Sequence, residues 1–281
     1  MAACSLATVV ALLPALPAFA QHPDAQYPAT PMIFQASVSY KASPTSAQTA
    51  SVRESFPTGM ITDAESGQPL SGVTVWVPDW QYSTQTRPDG SFTLPARPVS
   101  KPLIVSVGKT GYAPASATLD GDRLSGSGPF QLSLQREAGH VVVLDNQIHH
   151  LGDGSYAPDS AGAARFEAAS EGPVLTRQFR LHNGATPRDL CIGSISGLDT
   201  MAAHTAGQSN FHRASSPMTV YLNGQPIGQI ALNGDGERIP LPPNLLIGNG
   251  VNTIEIRTGY QTPNGRIDYD DMELMMLTLE L

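Results

Sequence analysis

The stretch Gly67-Gln68-Pro69-Leu70-Ser71-Gly72-Val73-Thr74-Val75-Trp76-Val77, followed by Pro88-Asp89-Gly90-Ser91-Phe92-Thr93-Leu94, decides the fold. Each apolar burst is only a few residues long and ends at Gly, Pro or Asp, the spacing of short strands joined by turns. Asp89-Gly90 supplies the positive backbone angle of a tight turn, and Phe92 and Leu94 then alternate with polar neighbours. The same grammar extends outward. Gly59-Met60-Ile61 precedes it, Leu103–Val107 and Gly111-Tyr112 follow, and Phe130–Leu134 closes the unit. Across the 281 residues, 26 Gly, 24 Pro and only 14% charged residues favour many short strands over long helices. No window carries a capped 3.6-residue apolar period, so almost no helix is expected after the N-terminal apolar stretch.

The order Gly59-x-Ile61, Gly67-x-Pro69-Leu70-x-Gly72-Val73-x-Val75, Asp89-Gly90-x-Phe92-x-Leu94 and Gly111-Tyr112 resembles the carboxypeptidase regulatory-like domain. That resemblance implies a transthyretin-like β-sandwich over residues 55–136. It implies an accessory module rather than a catalyst, because the signature residues build turns and core.

A second domain is expected over residues 140–281. Five Asn-Gly pairs fall here, at 183–184, 223–224, 233–234, 249–250 and 264–265. Asn-Gly between apolar runs is the strongest short hairpin signal. Strands are expected at Val141–Leu144, Leu175–Leu181, Asp189–Ile195, Met218–Leu222, Ile227–Leu232, Val251–Arg257 and Met272–Leu281. The runs Val220-Tyr221-Leu222-Asn223-Gly224-Gln225-Pro226-Ile227-Gly228 and Leu245-Leu246-Ile247-Gly248-Asn249-Gly250-Val251-Asn252-Thr253-Ile254 are similar to the galactose-binding-like jelly roll. Carbohydrate-binding modules are among the domains of that kind. The fold class is therefore all-β, with two β-sandwich domains, transthyretin-like and then jelly-roll-like.

Residues 1–20 have the form of a secretory signal. An apolar run from Leu6 to Phe19 leads to Ala18-Phe19-Ala20, a small-x-small cleavage sequence. No Lys or Arg precedes the run, and Pro14 and Pro17 interrupt it, which departs from the usual pattern. Residues 21–54, rich in Ala, Ser, Thr, Gln and Pro, are expected to form a flexible linker, with Met32–Tyr40 able to add a strand to an edge. The expected location is periplasmic or extracellular, with no membrane insertion after cleavage. Cleavage would leave Cys191 without an internal disulfide partner, since the other cysteine is Cys4. Cys191 is expected to be a buried small hydrophobe.

The formal net charge of -8 argues against a nucleic-acid partner, which needs clustered Lys and Arg to displace counterions. No His is followed three residues later by Glu, and Gly-x-Ser-x-Gly, P-loop and dinucleotide fingerprints are missing. These absences leave a non-catalytic binding or scaffolding protein as the leading reading, with a polysaccharide or an envelope protein as partner. The rivals are a divergent glycan-active hydrolase and a structural protein-interaction module.

Trp80, Tyr82, His150 and Tyr260, polar or aromatic residues near expected loops, are the candidates for sugar binding. Aromatic rings stack on the apolar C–H faces of sugars, but they also plug the ends of sandwiches. The acidic run Asp268, Asp270, Asp271, Glu273 lies on the last strand. Asp271 and Glu273 share one face of it. With Asp153 they form a candidate calcium site, the alternative being a solvated edge. The adjacent His149 and His150 point to opposite faces of a strand and cannot both serve one metal without an irregular backbone.

Overall fold

The computed structural model describes residues 8–11, 57–97, 101–119, 130–136, 141–182, 185–209 and 214–281. The expected linker at 21–54 and the Asn183-Gly184 turn lie outside them. Strands are numbered along the chain from β1 (Thr8–Ala11), which falls inside the apolar N-terminal run and pairs with a strand described below.

The first sandwich is built on β2 (Thr58–Asp63), β3 (Thr74–Val77), β4 (Tyr82–Gln85), β5 (Ser91–Thr93), β6 (Leu103–Gly108), β7 (Ala115–Leu119) and β8 (Phe130–Leu134). One sheet runs β5-β2-β8 and the other β4-β3-β6-β7. Ile61, Val73, Val75, Phe92, Leu94, Leu103, Val105 and Leu134 fill the space between them. The signature residues serve that packing. A Cβ on Gly59 would collide with the Phe92 ring, and a Cβ on Gly90, at φ +75°, would strike the Ile61 carbonyl. Tyr112 Oη donates to Asp63 Oδ2 at 2.8 Å, and Arg136 Nε donates to the same oxygen at 2.9 Å. With the Ser66 amide foremost among its donors, the Asp63 carboxyl sits well below the usual carboxylate range.

The second sandwich comprises β9 (Val141–Leu151), β10 (Val174–His182), β11 (Asp189–Ser196), β12 (Met218–Leu222), β13 (Gln225–Ile230), β14 (Gly234–Pro240), β15 (Val251–Arg257) and β18 (Met272–Glu280). A short ribbon of β16 (Tyr260–Gln261) and β17 (Asp268–Tyr269) stands beside it. The sheets run β1-β10-β15-β12-β13 and β14-β11-β18-β9, with every pairing antiparallel. Phe179, Leu190, Ile192, Val220, Leu222, Ile254, Ile256, Leu274, Leu277 and Leu279 form its core. Asn223-Gly224, both at positive φ, makes the expected β12–β13 hairpin. Asn233-Gly234 does not make a hairpin, because β13 and β14 belong to different sheets. Its Asn233 side chain instead clasps the Leu198 backbone. A single short α-helix among the described residues, α1 (Met201–Thr205), is capped by Thr200 Oγ1 accepting from the Ala203 amide.

The two sandwiches pack face to face. A bulge in β18 puts Met276 at φ +65° and shifts the register between Met275 and Leu277. Two consecutive methionines therefore leave the core and join Ile104 of β6 in a separate buried cluster, while Leu277 returns inward. Ser116 Oγ donates to the Met275 carbonyl, and the Thr118 amide donates to Asp235 Oδ1 at 2.8 Å. No helix among the described residues is long and apolar enough to cross a membrane.

Candidate functional site

The outer face of the five-stranded sheet is built by alternation. In β12, Val220 and Leu222 are fully buried, so Thr219 and Tyr221 project outward. In β15, Ile254 and Ile256 point inward, so Glu255 and Arg257 project outward. Antiparallel pairing sets Thr219 opposite Arg257 and Tyr221 opposite Glu255, and Val174 of β10 flanks Arg257 on the other side. The β16–β17 ribbon rises beside this floor and pairs Tyr260 with Tyr269. Together these residues, with Ile267 and Pro217, line a groove of about 540 Å³. That volume lies within the range of small-ligand sites.

The groove mixes rings with a fixed charge pair. Arg257 Nη2 donates to Glu255 Oε2 at 2.7 Å, and its guanidinium lies 4.3 Å from the Tyr221 ring centroid. The Glu255 carboxylate also raises the Arg257 pKa, chiefly through that hydrogen bond. Tyr260 is 49% exposed, Ile267 57% and Val174 42%, a concentration of uncovered apolar surface around one concavity.

Of the four sequence candidates for sugar binding, the structure brings only Tyr260 into this groove. Trp80 and Tyr82 are half-buried and pack against the core of the first sandwich. Arg97 covers the Trp80 ring, its guanidinium 5.5 Å from the centroid. They plug the end of a sandwich, as aromatic rings beside a loop often do. His150 is 2% exposed and out of reach of a ligand. Its Nδ1 donates to the Ala168 carbonyl at 2.7 Å, and its Nε2 lies 2.7 Å from Asp271 Oδ1. Burial works to lower the His150 pKa, but Asp271 and the Ala168 carbonyl outweigh it and hold the imidazole above its ordinary value.

Asp271 and Glu273 are buried at the junction of the two sandwiches, and Asp153 is exposed. Lys101, from the segment before β6, reaches across to Glu273 Oε2 at 2.8 Å and to Asp79 Oδ2 at 3.0 Å. Its ammonium also sits 4.4 Å from the centroid of the Phe166 ring, which in turn packs against His150. Asp153 accepts from the Ser155 and Tyr269 amides. Glu273 Oε2 thus meets Lys101, Asp271 Oδ1 meets His150 and the Gly154 amide, and both Asp153 oxygens accept from backbone amides. Among the described residues no group of three or more His, Cys, Asp or Glu side chains is arranged to hold a metal. His149 points away from His150, into contacts with Asp145, Glu171 and Arg177.

A second buried acid lies beneath the ribbon. Asp270 Oδ2 accepts from Ser215 Oγ at 2.6 Å and from the Asp199 amide at 2.9 Å. Burial, reinforced by the nearby Asp199 and Asp271, pushes its carboxyl up to about 7. Cys191 is half-buried, and burial pushes its thiol up to about 11, with Glu280 adding to the shift. At neutral pH it is a thiol and a poor nucleophile.

Sequence reasoning did not select Tyr221, Glu255, Arg257 or Tyr269. Alternation within β12 and β15 places Tyr221, Glu255 and Arg257 on the outward face. The missing information was that β12 and β15 are neighbours and that the ribbon closes one side of the floor.

Comparison with known proteins agrees with the first sandwich. Residues 58–132 match the model of the carboxypeptidase regulatory-like domain. The match begins at the first residue of β2 and ends within β8. No curated protein matches the chain. Among solved structures, similarity is found to a β-porphyranase of glycoside hydrolase family 86 from the human gut bacterium Bacteroides plebeius, at 15% identity and a TM-score of 0.22. It covers 81% of this chain and 33% of that one, so the chain spans a third of the enzyme's length. A protein described as membrane-associated, from Bacteroides fragilis, is similar at 12% identity and a TM-score of 0.24, over 80% of this chain and 96% of that one.

Proposed function

We propose that the protein is an exported, non-catalytic carbohydrate-binding module of the cell envelope or secreted fraction, and that its binding site is the Tyr260 groove. The observation that supports this is the gathering of Tyr221, Tyr260 and Tyr269 around the Glu255–Arg257 pair in one open concavity. Sugars present apolar C–H faces to rings and hydroxyls to charged partners, and this groove offers both kinds of contact. A glycosidase reading needs two carboxyls flanking a cleft. Glu273 and Asp271 are buried against Lys101 and His150, and Asp153 is held by backbone amides.

The test is affinity electrophoresis of the purified full chain through gels carrying individual envelope and secreted polysaccharides. Retardation on at least one glycan that Tyr260→Ala weakens is the expected result. Retardation unchanged by Tyr260→Ala would move the site elsewhere. No retardation on any glycan would shift the reading to a protein-binding role. Release of new reducing ends during incubation would make the chain an enzyme.

A further inference from the structure

The groove's rings do not share a plane. Tyr260 and Tyr269 are inclined at 65° with centroids 6.3 Å apart. Tyr221 lies on the sheet floor, and one of its faces is already stacked by Arg257, which Glu255 holds in place. A glycan of flat ribbon shape presents successive sugar faces in one plane and gains most from a row of coplanar rings. Here Tyr260 and Tyr269 are turned out of a common plane, and Arg257 occupies one face of the floor ring. A chain that bends from residue to residue turns successive faces in different directions and exposes hydroxyls at each bend. Those hydroxyls can meet the remaining acceptor positions of Glu255 and the donors of Arg257.

Resting on the carbohydrate reading, we infer that the groove takes a bent glycan segment and discriminates against flat ribbon glycans. The selectivity comes from geometry: a flat chain stacks on one ring at a time, whereas a bent chain engages two inclined rings. Loss of one of two ring contacts is expected to weaken retention about twofold to tenfold.

The experiment measures retention of the full chain, and of Tyr260→Ala and Tyr269→Ala, on two sets of glycans. Cellulose and linear β-1,4-mannan are the flat set. Soluble α-glucans, β-1,3-glucan and galactans are the bent set. Retention on a member of the bent set, weakened about twofold to tenfold in each variant, with weaker or no retention on the flat set, is expected. Retention on cellulose or mannan equal to or stronger than on every bent glycan, and lost in Tyr260→Ala, would overturn the inference and leave the carbohydrate reading intact. Bent-glycan retention that Tyr269→Ala leaves unchanged would also overturn it, since a second inclined ring would then play no part. Failure of both sets to retain the protein would remove the carbohydrate reading, and the inference with it.

Discussion

The two outer faces of the second sandwich carry similar chemistry and have opposite fates. The β14-β11-β18-β9 face holds His150, Asp271, Glu273 and two methionines, and the first sandwich covers it. The β1-β10-β15-β12-β13 face and its ribbon hold Tyr221, Glu255, Arg257 and Tyr260, and they remain open. Acidic and aromatic residues are therefore no guide to function by themselves. On the covered face a carboxylate fixes one sandwich against the other. On the open face a carboxylate orients an arginine beside solvent. The first sandwich decides which face stays open by occupying the other one.

Breaking the covered face has the largest expected effect. Lys101→Ala strips the buried Glu273 and Asp79 of their shared cation, and Glu273 is 1% exposed. Removing one partner of a buried ion pair costs about 3–5 kcal/mol. Denaturant unfolding of the variant should show a loss of that order. A loss under about 1 kcal/mol would mean the bridge is solvated and the junction loose.

Titration of the acid beneath the ribbon is expected to come next. Asp270 is raised to about 7 from an ordinary 3.8. The unfolded chain gives up this proton near pH 4 while the folded chain keeps it, so stability falls as pH rises from about 4 to about 7. The contribution is up to about 4 kcal/mol across that window. His150, also raised, acts in the same direction above its ordinary value of 6.5. Melting curves of Asp270→Asn should decline less over pH 4–7 than those of the parent. Parallel curves for the two proteins would show that Asp270 is ionised in the fold.

Gly193→Ala probes the contact itself. A Cβ at this position would collide with Ser116 Oγ of the first sandwich and with Met276 Cβ. Overpacking of this kind costs about 1–3 kcal/mol. A loss measured by thermal unfolding is expected, and an unchanged melting temperature would mean that the sandwiches slide apart freely.

The smallest effect on stability belongs to the open face. Tyr260→Ala removes a half-exposed side chain, and the change should stay within about 0.5 kcal/mol while glycan retention is weakened. A larger drop in stability would place Tyr260 with the structural aromatics Trp80 and Tyr82, and the contrast between the two faces would fail.

Much of the fold was legible because it depends on local chemistry. Gly90 needs a positive φ and close approach to the Ile61 carbonyl, and only glycine meets both demands. Asn223-Gly224 makes its hairpin from its own torsions. β14, with the sequence Gly-Asp-Gly-Glu-Arg-Ile-Pro, carried no strand signal, and pairing with β11 makes it one. His149 and His150 extend β9 well beyond the apolar run that announced it, because β18 continues to pair alongside.

The sequence by itself determined the all-β class and the first sandwich with its signature turns, since both follow from short-range periodicity and backbone torsion. Only the tertiary structure decided that Lys101 would neutralise Glu273, that the Met276 bulge would bind the two sandwiches, and that Tyr260 would face an open groove while His150 was sealed. Those outcomes depend on which distant strands become neighbours and which sheet face is covered, and no local pattern encodes either.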